Sequence, residues 1–400
     1  MTDYMEYRFS NGLRDLKPSA IREIFKSLSD PQIIAFAAGN PAAESFPVKD
    51  LSRLSARLFE TQAATALQYG TTEGYMPLRK AVESRLQERF GIDSEANELL
   101  IVSGGQQGID LTAKALLNPG DTVIAESPSF IGGLNTFRSY AAKLVGVELT
   151  EKGICVEKLE AALKANPQAK LLYTIPTFHN PSGITTDLPT RKAVYELCKR
   201  YGVMILEDNP YGELRFAGED VPTYKSMDTE GIVVYCGSFS KVLSAGMRVG
   251  FVSAPKGFVS KMTVAKQGQD VHTNLFFQML CHAFMTQCDM DAHIDGIRAL
   301  YRRKCALMLE TMDRCFDSRV QYTRPDGGLF LWCTMPEGTD IDGFVKAALA
   351  KKVAVVPGVA FAPDPTVPSP CFRVTYATPT EEQIVRGTEI LADTMKDFLK

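Results

Sequence analysis

Metal-binding and disulfide patterns are missing from this chain. Its four histidines, His179, His272, His282 and His293, show no His-Glu-x-x-His spacing, and its nine cysteines, Cys155 to Cys371, include no Cys-x-x-Cys pair. Neither a structural nor a catalytic zinc site is expected. The odd cysteine count fits free thiols in a reducing cytoplasm better than a disulfide framework. No run of about 18 apolar residues occurs that would cross a membrane. Residues Met1 to Ser10 carry acidic groups and no apolar core, so no leader is expected there either. A formal net charge of -3 leaves little basic surface for nucleic acid or an anionic membrane. An acidic substrate would have to be met by individually placed arginines. Gly-x-Gly-x-x-Gly opening a βα unit, a Walker loop, internal repeats and low-complexity tracts are also absent, which removes support for nicotinamide and nucleoside-triphosphate sites.

What is present is an ordinary globular composition, 45% hydrophobic and 23% charged over 400 residues, enough for one large enzyme subunit with a substantial core. From Leu99 onward short apolar runs alternate with helical stretches, the pattern of a mostly parallel sheet flanked by helices. Candidate strands are Leu99 to Ser103, Thr122 to Glu126, Leu144 to Val147, Leu171 to Ile175, Val203 to Glu207, Ile232 to Gly237, and Gly250 to Ala254. The expected class is therefore α/β, with a seven-stranded sheet in a large domain. Beyond about Asn274 a long helical region runs through Phe316, with an Arg- and Lys-bearing polar face around Arg298 to Lys304. The remainder reads as a smaller α+β domain, and a helix near Pro18 to Leu28, with Ile21, Ile24, Phe25 and Leu28 on one face, precedes it all as an arm. The expected division is an arm over 1–47, a large domain over 48–295 and a small one over 296–400.

The stretch Cys236 to Gly250 organises the rest. It follows the apolar run Ile232-Val233-Val234-Tyr235, so Lys241 arrives just beyond a strand's carboxyl end, where open α/β sheets bind ligands. Lys241 offers an amine for carbonyl chemistry, while Ser238, Ser240 and Arg248 supply donors suited to a phosphate. Pyridoxal phosphate needs both. A solvated loop lysine beside a structural arginine would give the same residues.

Five other segments bear on that choice. Ser103-Gly104-Gly105-Gln106-Gln107-Gly108 opens a helix whose unpaired N–H groups would face an anion; a glycine turn needed for packing has the same signature. Phe130, after the strand Thr122 to Glu126, could stack on a planar ring or simply fill the core. Asn180 sits in an ordered Asn-Pro-x-Gly turn. Asp208, with Tyr211 three residues on, ends an apolar strand in a carboxylate that would stay ionised beside a cationic nitrogen, although many strand-end aspartates only form turns. Gly39, in Ala37-Ala38-Gly39-Asn40-Pro41, would bring bare backbone against a ligand or merely turn the chain.

Together these segments resemble the fold-type I, pyridoxal-phosphate-dependent aminotransferases of class I/II, most of all their α-aminoadipate and aromatic branch. The likeness runs from Ser19 to the C-terminal helix, and the joint occurrence of Asn180-Pro181-x-Gly183, Asp208-x-x-Tyr211 and Ser238-x-Ser240-Lys241 through Arg248 is highly specific. The resemblance implies that Lys241 holds the cofactor aldehyde, Asp208 meets the pyridine nitrogen, and Asn180 and Tyr211 donate to the ring oxygen. It also implies that the Gly105 and Gln106 backbone, Ser238, Ser240 and Arg248 hold the phosphate. Phe130 matches a ring-stacking position where relatives often carry tyrosine, and Ala245 replaces a common proline. Arg373 resembles the residue that clamps the substrate α-carboxylate, and Tyr69 the tyrosine lent to the neighbouring subunit's phosphate, which implies a homodimer with shared sites. Arg22 matches an arginine that meets an acidic side chain. The implied activity is exchange of an α-amino group between L-amino acids and 2-oxo acids. A carbon-sulfur β-lyase would share the cofactor motifs. A regulator's sensing domain would be preceded by a basic DNA-binding domain, whereas only 38 residues stand before Gly39, Asp3, Glu6 and Asp15 among them.

Overall fold

The computed structural model describes residues 8–14, 16 and 30–399. Its large sheet is built from β1 (Asn97–Val102), β2 (Thr122–Ser127), β3 (Lys143–Thr150), β4 (Gly153–Ile154), β5 (Ala169–Thr174), β6 (Met204–Asp208), β7 (Val233–Ser238) and β8 (Gly250–Pro255). They are ordered β1-β8-β7-β6-β5-β2-β3-β4. Strands β7, β6, β5, β2 and β3 run parallel, while β8 is antiparallel to both β7 and β1. Seven strands fall where the apolar runs place them. The eighth, β4, is a two-residue antiparallel edge on Leu149 and Thr150, too short to show a period.

The central strands are apolar without alternation because helices cover both faces. Val123, Ile124, Leu171, Leu172, Ile205, Leu206, Val233 and Val234 are all fully buried. The helix Gly105–Leu116 lies close against this sheet, since a Cβ at Gly108 would come within 2.6 Å of Cys236 Sγ and 2.9 Å of a Val252 methyl. Its amino end consequently opens beside the carboxyl ends of β6 and β7, the place where a doubly wound sheet accepts ligands.

A second, antiparallel sheet has the order β11-β12-β10-β9, from β9 (Gln321–Tyr322), β10 (Phe330–Thr334), β11 (Val356–Pro357) and β12 (Cys371–Thr375). The described part of the arm joins it: Ile34 bridges to Val353, and Thr375 N donates to Phe36 O at 2.9 Å. The arm helix expected near Pro18 to Leu28, and Arg22 on it, lie outside the described residues.

The helical region after Asn274 is two helices, Leu275–Gln287 and Met290–Cys315, divided at Asp289, whose side chain caps the second by accepting from Ala292 N. Its expected polar face needs correction at Lys304. That ammonium is buried, donating to Ala377 O at 3.0 Å and to Glu44 Oε1 at 3.2 Å. A lysine's long apolar stem lets it read as surface while its head is spent on interior carbonyls. With Tyr301 Oη accepting from Ala42 N at 3.1 Å, it fastens the segment after Gly39 to the long helix. Among the described residues no helix is long and apolar enough to cross a membrane.

Candidate active site

Lys241 sits in the loop 239–249 between β7 and β8. Buried Phe239, Val242, Leu243, Met247 and Val249 anchor this loop, and Phe239 N donates to Val249 O at its neck. Lys241 is left facing a cleft of about 450 Å³, where its Nζ donates to Gly39 O at 2.7 Å. Desolvation, then the guanidinium charges of Arg373 and Arg248, lower its pKa to about 8, against an opposing pull from Asp208. An amine so placed is a nucleophile and base near neutral pH.

Two adjacent carboxylates end β6, and alternation along the strand separates them. Glu207 turns away and accepts from Tyr224 N and Lys225 N. Asp208 faces the cleft and accepts from Tyr173 Oη at 2.8 Å. Burial pushes the Asp208 carboxyl up to about 7; Glu126 adds to the rise, while the Tyr173 hydroxyl and Lys241 oppose it. A buried carboxylate held this near its titration point gains strongly from a cationic partner.

The turn after β5 presents Asn180. Its Oδ1 accepts from Arg373 at 2.8 Å and its Nδ2 lies 3.4 Å from the Tyr211 hydroxyl, so both ends of the amide are oriented. Arg373, on β12 opposite Trp332 and Val356, also donates to Ala37 O at 2.8 Å. Its guanidinium lies over the rings of Phe330 at 4.2 Å and Phe361 at 4.9 Å. Burial lowers its pKa to about 10, still charged at neutral pH. Among the described residues its Nε has no hydrogen-bond partner, which suits an anion arriving from the cleft.

At the other end of the cleft the helix Gly105–Leu116 begins after Gly104, whose φ is +80°. A Cβ on Gly104 would sit 2.3 Å from Arg248, and one on Gly250 would sit 2.9 Å from Gly105 N. Glycine at both positions is what lets the Arg248 guanidinium lie against the helix start. The hydroxyls of Ser238 and Ser240 bond to each other at 2.9 Å beside it. The Gln106 side chain is spent on Gly132 O and Thr136 Oγ1, leaving its backbone as the available donor. Phe130 lines the same cleft, its ring fixed at the approach of the helix Ile131–Ser139.

Gly39, Gly105, Gln106, Phe130, Asn180, Asp208, Tyr211, Ser238, Ser240, Lys241, Arg248 and Arg373 thus converge on one cleft. A buried carboxylate, a low-pKa lysine and a helix-start anion cradle fit the ring nitrogen, aldehyde and phosphate of the expected cofactor. Tyr69 is not among these residues. It is 79% exposed, its ring edge-on to His272 at 5.8 Å. Tyr173, Phe330, Phe361 and the buried His179–Glu126 pair, 3.2 Å apart, were not singled out from the sequence. Tyr173 was recoverable only given the β5–β6 register, which pairs it with Leu206 and sets it on the face that Asp208 shares.

Comparison with known proteins agrees with this geometry. The family described as Aminotransferase class I and II matches residues 31–391. Aromatic-amino-acid aminotransferase 1 of Thermococcus litoralis is 39% identical, covering 100% of this chain and 96% of its own. The 2-aminoadipate transaminase of Thermus thermophilus is 37% identical, covering 98% and 97%. A crystal structure of Pyrococcus horikoshii kynurenine aminotransferase in complex with PMP superposes with a TM-score of 0.94 at 37% identity, covering 98% of each chain. A carboxylate and a lysine from two strand ends of the large sheet and an arginine from the middle of β12, brought to one cleft in a chain matched along its length, identify the protein as a class I and II aminotransferase, a transaminase dependent on pyridoxal 5'-phosphate.

Proposed function

We propose that the protein exchanges the α-amino group between glutamate and 2-oxoglutarate on one side and 2-aminoadipate, aromatic or branched aliphatic partners on the other. The observation that carries this reading is Arg373, a paired but unsaturated guanidinium at one end of a cleft walled by Ile109, Phe130, Ile131 and Phe330. Such a site takes any α-carboxylate and tolerates a range of apolar side chains. The activities for which the relatives are named, on aromatic amino acids and 2-aminoadipate, support the same range.

Each residue then has a role. The N–H groups of Gly105 and Gln106, the hydroxyls of Ser238 and Ser240, and Arg248 hold the phosphate. Asp208 holds a proton on the ring nitrogen, Asn180 and Tyr211 donate to the ring oxygen, and Phe130 stacks on the ring. When bound, the cofactor supplies an aldehyde that takes up the amino group and a ring that accepts an electron pair. Gly39 O keeps Lys241 within the cleft, and its amine, once free, takes the proton from the substrate α-carbon and delivers it elsewhere in the same site. Arg373 fixes the α-carboxylate so that this proton faces Lys241.

In this reading residues 48–295 bind the cofactor, residues 296–400 supply Arg373, and residues 1–47 are an arm that packs with the small domain and carries Arg22, which would meet acidic side chains. Tyr69, exposed on one subunit, completes the phosphate site of a second in a homodimer. Nine cysteines, all free, suit a cytoplasmic location, and neither nucleic acid nor membrane is a partner. Single-turnover spectra against a panel of amino acids, followed by 2-oxo acids, test the substrate range. Arg22→Ala should lose activity selectively with glutamate and not with leucine or phenylalanine. Equal loss on all three removes Arg22 from the reading. Pyruvate released from a cysteine conjugate without any 2-oxo acid acceptor would replace transamination with β-elimination.

A further inference from the structure

Lys266 is fully buried on the helix Lys256–Gln267, and nothing in the chemistry above uses it. Its ammonium donates to Gln107 Oε1 at 3.0 Å, to Asp270 Oδ1 and Oδ2 at 2.7 and 2.8 Å, and to Thr273 Oγ1 at 3.1 Å. Every one of those partners also reaches Ser103, the residue that enters the glycine turn. Gln107 Oε1 accepts from Ser103 N at 2.7 Å. Asp270 Oδ2 accepts from Ser103 Oγ at 2.7 Å and from Gln107 Nε2 at 2.9 Å. Thr273 Oγ1 stands 3.1 Å from Ser103 Oγ. On its other side the Ser103 carbonyl accepts from Arg248 at 3.4 Å. Gln107, Lys266, Asp270 and Thr273 do not themselves line the cleft.

We propose that Lys266 is a positioning residue for the phosphate-binding turn: its ammonium locks Gln107, Asp270 and Thr273 into a frame that aims the Gly105 and Gln106 N–H groups and Arg248 at the cofactor phosphate. This rests on reading that turn as the phosphate site. A helix start binds an anion well only when its N–H groups converge, and the left-handed φ of Gly104 leaves the turn without a regular ladder to fix its direction. The frame supplies that direction from outside. Burial lowers the Lys266 pKa while Asp270 opposes it, and the ammonium is what keeps one carboxylate, one amide oxygen and one hydroxyl packed on a single point. Remove it, and Asp270 is free to draw Ser103 Oγ and Gln107 Nε2 toward itself. Gln107 Oε1 then loses the donor that holds it against Ser103 N.

The test compares pyridoxal 5'-phosphate with pyridoxal, which lacks the phosphate, by spectrophotometric titration of apoenzyme resolved from the holoenzyme. Lys266→Met should weaken pyridoxal phosphate by about tenfold to a hundredfold, the range known for residues that orient metal ligands from behind, and leave pyridoxal within about twofold. Lys266→Arg should recover part of the loss. Thr273→Val and Asp270→Asn, each removing one arm of the frame, should show the same selective loss in smaller degree and serve if Lys266→Met does not fold. Equal weakening of both aldehydes would mean general loosening of the fold and would overturn the proposal, as would unchanged affinities. A wild-type apoenzyme that does not prefer the phosphorylated form would overturn the phosphate site itself.

Discussion

Arg373 donates to Asn180 Oδ1 at 2.8 Å, and this bond joins β12, an inner strand of the small sheet, to the turn that follows β5 of the large one. Asn180 is in turn 3.4 Å from the Tyr211 hydroxyl, so the Arg373 end of the cleft and its Tyr211 end share one amide. The Phe330 and Phe361 rings against the guanidinium fix its plane, and fixed planarity is what a bidentate carboxylate contact requires.

Arg373→Ala should weaken every amino-acid substrate alike, because all carry the α-carboxylate. Charge-assisted hydrogen bonds worth about 1.5–3 kcal/mol correspond to roughly a tenfold to hundredfold loss in kcat/KM. Steady-state assays on glutamate, leucine and phenylalanine decide the matter; a loss confined to one side-chain class would place Arg373 in another pocket.

Lys241 should capture the cofactor with a pH midpoint near its lowered value of about 8. Desolvation and the neighbouring guanidinium charges disfavour the ammonium, so the reactive amine is present above that pH and lost below it. Stopped-flow capture by apoenzyme across pH 6–11 reads the midpoint, and a value near the ordinary lysine range contradicts the assignment. Borohydride fixation followed by peptide mapping should mark Lys241, with Lys225 and Lys256 as the controls that must stay unlabelled.

Asp208 carries two expectations of opposite character. Asp208→Asn should retain cofactor yet slow α-proton removal by roughly a hundredfold to several hundredfold, since loss of one such electrostatic partner costs about 2.7–4 kcal/mol. In the apoenzyme the same carboxyl, raised from 3.8 to about 7, binds a proton more tightly folded than unfolded. Its contribution is therefore present in full below about pH 4 and is lost as pH rises toward 7, on the order of 4 kcal/mol. Denaturant melts of wild-type and Asp208→Asn apoenzyme across that window should diverge as pH rises, the variant becoming the relatively more stable one; parallel curves would count against a buried, titrating Asp208.

Tyr69 is assigned to a partner subunit's site, and subunit complementation checks that directly. In a mixed dimer of Lys241→Ala and Tyr69→Ala chains, one site would combine an intact Lys241 with an intact Tyr69, and up to one active site per dimer should reappear. If Tyr69 served its own chain, both sites would carry a lesion and no activity would return on mixing.

The central strands were legible from sequence because burial on both faces demands unbroken apolar runs, and Val123-Ile124-Ala125 or Ile205-Leu206 permit little else. The meeting of Asn180, Asp208 and Lys241 in one cleft was legible too, since each stands at or just beyond a strand's carboxyl end, a local feature that survives without coordinates. The polar face expected around Arg298 to Lys304 failed at Lys304 alone, for the converse reason: a helical period does not say whether a lysine's head finds an interior carbonyl such as Ala377 O. Only the tertiary structure decided the pairings across distance. The β5–β6 register brings Tyr173 to Asp208, two arms of chain set Ala37 and Asn180 on Arg373, and the helix Lys256–Gln267 carries Lys266 behind the turn at Ser103. Local sequence dictates which groups a segment can present, because propensity and burial act within it. Which groups meet depends on strand order and helix placement, which are set by the packing of the whole chain.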